Sequence, residues 1–173
     1  MSSIPVFFGG GTRYTVLQAE VFAAVCSVLE ARNLQPILYP RDEWNPSDPL
    51  RGIVECVRTC FGCLLFGIPR YYAPELYEFP QSEKQLQRSG IVLPTVWDYI
   101  ETTAAYVLGM PVLSIIDQTI STQGILSPNY ESYHVYRCLL TDNYPQLSSE
   151  LHRQLDDYAA RVWAYYHSTC QGG

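Results

Sequence analysis

Short apolar runs and amphipathic stretches take turns along this chain. Residues 4–8 (IPVFF) are apolar and lead straight into GGGT, which predicts a strand ended by a tight turn. Residues 15–32 then set Val16, Ala19, Val21, Ala23, Ala24, Val25, Val28 and Leu29 largely on one side of a helical period, completing a βα unit. The pattern repeats. Residues 34–39 (LQPILY) read as a second strand followed by the turn-rich PRDEWNPSDP. Asp48 and Pro49 there supply the N-cap and first position of a helix to about Thr59.

Residues 61–68 (FGCLLFGI) are almost wholly apolar, as a strand covered on both faces of a parallel sheet must be. The following PRYYAPELYEFPQSEKQLQRSG, residues 69–90, mixes Pro, Tyr and charge. It predicts a long loop with one short helix around 82–88, a length that in a compact domain marks function or mobility. Thr95 caps a helix carrying Trp97 and Glu101, which stops near Gly109 before a strand at 111–116. Beyond Gln118 the turn signals STQG and SPN precede a helix expected near 131–139. Leu147, Leu151, Leu155, Tyr158, Val162 and Tyr165 then define an amphipathic helix from Ser148 to about His167, a cover for one sheet face.

Alternating β and α segments with right-handed crossovers define the expected fold class. It is a flavodoxin-like, doubly wound parallel sheet of four or five strands flanked by helices, with a C-terminal amphipathic helix. A length of 173 residues fits one domain. Ligands in such folds sit beyond the carboxyl ends of the strands. That directs attention to the loops 9–14, 40–46 and 69–72 and to the segment entering Trp97.

Composition narrows the partners. With 47% hydrophobic and 16% charged residues the chain reads as a folded soluble protein, and no apolar run approaches the roughly 20 residues of a membrane helix. The opening MSSIPVFFGGG has no basic region and too short an apolar stretch for a signal peptide, so a cytoplasmic location is expected. A net charge of −6 without a basic cluster excludes a nucleic-acid backbone binder, but one pyrophosphate needs only a helix N-terminus and one or two Arg side chains. Six cysteines occur, and Cys56, Cys60 and Cys63 cluster. They lack the doubled CxxC spacing of a zinc site and any nearby His, so they read as buried reduced thiols, with no metal expected.

Two features invite chemistry. Gly9, Gly10 and Gly11 follow the first strand and permit positive φ and close backbone approach, either for a phosphate or ribose or for a bare tight turn; GxGxxG is absent. Trp97 and Glu101, four apart, share a helical face that lies away from the core side expected for Val107 and Leu108. Spacing alone serves equally well for a Trp packed into the core with a Glu paired to an Arg.

The segment WDYIE, residues 97–101, resembles the WxxxE segment of Toll/interleukin-1 receptor (TIR) domains, in whose NAD-cleaving members that Glu is catalytic. ETTAAYVLGMPV is also similar to nucleoside 2-deoxyribosyltransferases. There a catalytic Glu precedes small residues, a Gly-x-Pro turn and a strand, matched here by Ala105, Gly109 and Pro111. The likeness extends over residues 4 to about 117, and its motifs are the glycines and residues 94–117. Thr103 stands where the transferases carry a small Gly, and their Asp near the Glu has no match unless Asp98 takes its place.

The resemblance implies Glu101 as the catalytic residue. Substrate contacts are expected from Gly9, Gly10, Gly11, Thr12, Arg13, Tyr14, Arg41, Pro69, Arg70, Tyr71 and Trp97. Cleaving nicotinamide from NAD passes through a ribosyl oxocarbenium ion that one carboxylate can stabilise, and the cationic leaving group needs no general acid. Trp97, Tyr14, Tyr71 or Tyr72 could stack on a ring, and Arg13, Arg41 or Arg70 could meet the pyrophosphate. Three readings follow. The preferred one is an NAD glycohydrolase or ADP-ribosyl cyclase of immune or antiviral nucleotide signalling, with NAD as substrate, no cofactor and self-association into a homo-oligomer. The others are a deoxyribosyltransferase or nucleotide N-hydrolase of salvage, and a non-catalytic module that binds a nucleotide signal or assembles.

Overall fold

The computed structural model describes residues 3–39, 47–127, 134–140 and 147–170. Five strands form one parallel sheet: β1 (Ile4–Gly10), β2 (Leu34–Ile37), β3 (Cys63–Gly67), β6 (Val112–Asp117) and β7 (His134–Cys138). Their order is β2-β1-β3-β6-β7, the doubly wound order of flavodoxin. Every residue of β3 and β6 is buried, which is why CLLFG and VLSIID are near-continuous apolar runs.

The helices are α1 (Val16–Glu30), α2 (Pro49–Arg58), α3 (Val96–Val107) and α4 (Ser149–Cys170). Phe8, Leu64, Phe66, Leu113 and Ile115 pack with Val21, Val25 and Leu29 of α1 and with Leu151, Leu155, Tyr158 and Val162 of α4 on one face. On the other, Phe7, Cys63 and Val112 pack with Ile53 and Val57 of α2 and Ala105 of α3. This is the period-two alternation of a sheet covered on both sides. The C-terminal helix therefore covers one face as its pattern predicts, and it runs to Cys170. Among the described residues no helix is long and apolar enough to cross a membrane.

Residues 69–90 depart from expectation. They are not a loop with a helix at 82–88. Instead β4 (Tyr71–Glu78) and β5 (Leu86–Leu93) form an antiparallel hairpin outside the main sheet. Its pairing register passes over Pro74, which has no N–H to donate, and Gly90, at φ +65°. The tip is closed by Ser82, whose hydroxyl donates to the Phe79 carbonyl at 2.8 Å. Most of both strands is exposed, so neither face needs the apolar alternation by which strands are recognised.

The helix expected near 131–139 is also absent: His134–Cys138 is the edge strand β7, parallel to β6, and 131–133 lie outside the described residues. An edge strand is half solvated, which hides its period. Val107, expected to face the core, is 76% exposed, and Leu108 packs against the second face only in part.

Candidate functional site

The face that α3 turns inward is polar. Its buried residues are Asp98, Glu101, Thr102 and Ala105, three polar side chains where a helix on a sheet ordinarily places aliphatic ones. Thr95 starts the helix with a capping box: its hydroxyl accepts from the Asp98 N–H at 3.2 Å and donates to Asp98 Oδ1 at 2.7 Å, while the Thr95 N–H donates to Asp98 Oδ2 at 3.2 Å. Thr102 donates its hydroxyl to the Asp98 carbonyl at 2.6 Å. These bonds fix the first two turns and so the place of Glu101.

Glu101, 8% exposed, lies across the carboxyl end of β1, where its Oε2 accepts the Gly10 N–H at 3.1 Å. A Cβ on Gly9 would overlap that same oxygen, and one on Gly10, at φ +134°, would overlap the Phe66 carbonyl oxygen. Gly9 is thus the seat of the carboxylate, and Gly10 supplies a conformation and an approach to β3 that only glycine tolerates. The positive φ at Gly10 is the one expected of a tight turn, whereas the seat Gly9 gives Glu101 was in neither reading of the glycine run.

Charge on Glu101 is costly here. Burial, and then the nearby Asp98 carboxylate, raise its pKa from 4.5 to about 8, with the Gly10 N–H opposing. Burial likewise raises Asp98 to about 6, against the lowering effect of the Thr95 hydroxyl and N–H. Beneath them burial, Glu101 and Cys60 push the Cys63 thiol well up, so it is neutral.

A cavity of about 590 Å³ opens above this carboxylate, within the range that takes one small ligand. Of the residues expected to touch substrate, Gly9, Gly10, Gly11, Thr12, Arg13, Arg70, Tyr71 and Trp97 line it together with Glu101. The β1–α1 turn is anchored by Gln18, whose Oε1 accepts from the Tyr14 N–H at 3.1 Å. The Arg13 guanidinium stacks on Phe22, 3.9 Å from the ring centroid. Arg70 is exposed at the rim, where its N–H joins the base of the hairpin through the Leu93 carbonyl at 3.0 Å. Trp97 serves both of its alternatives, lining the cavity and packing against the core of α2 and α3.

Tyr14, Pro69 and Tyr72 are not among the lining residues; Tyr14 and Tyr72 are exposed. Arg41 and the loop 40–46 lie outside the described residues. The cavity also includes Thr95, in the segment entering Trp97, and Tyr39, which sequence reasoning did not assign to it. Tyr39 follows β2 at the same sheet edge, and that position was the available signal. Cys60 and Cys63 are buried and Cys56 partly so, and among the described residues no group of three His, Cys, Asp or Glu could hold a metal.

No family model and no curated protein matches the chain. Among solved structures, the CMP N-glycosidase BcmB of Clostridium botulinum aligns with a TM-score of 0.51 and 12% identity, over 89% of this chain and 98% of that one. The constitutive lysine decarboxylase of E. coli aligns with a TM-score of 0.45 and 13% identity over 92% of this chain, which spans 17% of that one. At its identity the first likeness shows a shared α/β fold.

Proposed function

We propose that this chain cleaves the N-glycosidic bond of a nucleotide, with Glu101 as the catalytic residue. The observation that carries this reading is one carboxyl group, buried, seated on Gly9 and bonded to Gly10, at the floor of a cavity edged by Trp97, Tyr71, Arg13 and Arg70. The aromatic side chains suit a base, the guanidinium groups suit phosphate, and the carboxyl group suits an anomeric carbon that becomes cationic. The fold likeness to a chain described as a CMP N-glycosidase agrees with it as analogy.

The protonation of Glu101 favours a substrate with a neutral base. Such a base departs only if it receives a proton, and Glu101 holds one at neutral pH. As the C1′–N bond breaks, the proton passes to the base, and the carboxylate left behind faces the oxocarbenium ion. Water then forms the C1′–O bond and returns a proton to Glu101, which restores the site. The products are a free base and a ribose phosphate.

NAD is the second reading. Its nicotinamide leaves without a proton, so a single ionised carboxylate suffices, and two guanidinium groups at one cavity suit a pyrophosphate. The two readings predict opposite pH dependence. Activity on a neutral-base nucleotide falls as pH rises through about 8, whereas cleavage of NAD rises as Glu101 ionises over that range.

The test is to incubate purified protein with NAD and, separately, with nucleoside 5′-monophosphates, and to resolve released base by chromatography beside Glu101→Gln. Base release by the wild type and none by the variant is the expected result. Equal release by both sinks the assignment.

A further inference from the structure

Asp98 has a second relationship beyond its cap. It is fully buried, it sits three residues before Glu101 on the inward face of α3, and both its oxygens are held by Thr95. Residues at this spacing are neighbours on a helix surface. A capping carboxylate ordinarily lies at a solvated helix end, where its charge is cheap. Here the cap is sunk beside a second acidic side chain in the wall of a cavity.

The surrounding elements offer little to offset this. β1 contributes only backbone and aliphatic or aromatic side chains, β3 contributes the neutral Cys63, α2 contributes Cys56, and the turn between α2 and β3 contributes Cys60. Asp117 of β6 is committed to Thr119 and to the Leu140 N–H, 2.8 and 2.9 Å away. Arg13 and Arg70 border the cavity, the first stacked on Phe22 and the second exposed at the rim. Among the described groups, Asp98 is the acidic side chain that shares the buried face of α3 with Glu101, one turn away.

We propose that Asp98 is a positioning residue for Glu101: clamped by Thr95 three residues before it on the same buried face of α3, its carboxylate adds to burial in keeping the Glu101 carboxyl group neutral until substrate enters. A carboxylate pair of this kind shares protons unequally, one member ionising first and delaying the other. Two donors from Thr95 hold the charge on Asp98 against the single Gly10 N–H on Glu101, so Asp98 is the member that ionises first. The site is thereby loaded as an acid at neutral pH, the state that a neutral leaving base requires. The inference deepens the proposed glycosidic cleavage and rests on it for its catalytic meaning.

Two neutral replacements test it. Asp98→Asn keeps an oxygen that accepts from Thr95, and Asp98→Ser is a smaller neutral alternative. The Glu101 carboxyl group is titrated directly, by carboxyl-detected NMR on protein without substrate, with Glu101→Gln identifying its signal. Both Asp98 variants should lower the Glu101 midpoint by about one pH unit. The alkaline limb of base release from a nucleoside monophosphate should shift down by the same amount. A lower melting temperature with an unmoved midpoint in both folded variants would overturn the proposal. A shifted midpoint in a protein that releases no base from any nucleotide would keep the electrostatic relationship and sink the glycosidase reading instead.

Discussion

The Glu101 carboxylate meets the Gly10 N–H at 3.1 Å across 91 residues of sequence, tying the second turn of α3 to the last residue of β1. Around that contact Gly9 and Gly10 have different duties. Gly9 leaves room for a side chain from another element, and Gly10 supplies φ +134° and close approach to Phe66.

Gly9→Ala and Gly10→Ala therefore fail in different ways. At Gly9 the added methyl displaces the end of a side chain, so Ala should move Glu101, cut turnover by an order of magnitude or more, and change the melting temperature little. At Gly10 the methyl meets a backbone carbonyl oxygen in a conformation that L-residues avoid. Gly10→Ala should cost about 1 kcal/mol or more of stability, read from denaturant midpoints. A Gly9→Ala protein with wild-type turnover would mean that the Glu101 carboxylate is not held on β1.

Arg70 lies at the cavity rim and is exposed, so Arg70→Ala should leave stability within about 0.5 kcal/mol of wild type. If its guanidinium meets a phosphate, KM for a nucleoside 5′-monophosphate should rise about tenfold, the worth of one charge-assisted contact, while KM for the matching nucleoside stays unchanged. An equal rise for both substrates would assign Arg70 to base or sugar contact.

What the sequence makes legible here is local chemistry. Asp48 with Pro49, and Thr95, announce their helices because a cap is made within a few residues of chain, and CLLFG announces a central strand because both of its faces are buried. The loop after β1 follows from the rule that such sheets bind ligands at their carboxyl ends, whereas Glu101 was assigned by the resemblance of WDYIE and ETTAAYVLGMPV to known segments. The hairpin of β4 and β5 was hidden because Tyr71, Tyr72, Tyr77 and Leu86 are exposed and Pro74 sits inside a strand. The edge strand β7 was hidden because His134, at its start, is exposed and only Cys138 is fully buried. The seat of Glu101 on Gly9 could not be read at all, since it joins positions 92 residues apart whose meeting only the packed fold brings about.

At Glu101 catalysis and stability are set against each other. Glu101 titrates at about 8 in the folded protein and at 4.5 in the unfolded chain, so between those values the folded state binds a proton that the unfolded state does not. Stability must then fall as pH rises through that window, by an amount that is complete once pH exceeds about 8 and is on the order of a few kcal/mol for a group this buried. Glutamine keeps the size and an oxygen able to accept the Gly10 N–H, but carries no ionisation to suppress. Glu101→Gln should therefore match the wild type near pH 4 and exceed it in stability by a growing margin up to about pH 8, beyond which the margin is constant. Glycosidic cleavage should be lost throughout. Denaturant unfolding of both proteins at pH 4.5, 6, 7.5 and 9 reads the difference directly, a series chosen to bracket the two titrations. A margin that shrinks with rising pH would mean that the Glu101 carboxylate is stabilised by its surroundings and that the cavity favours its charged form.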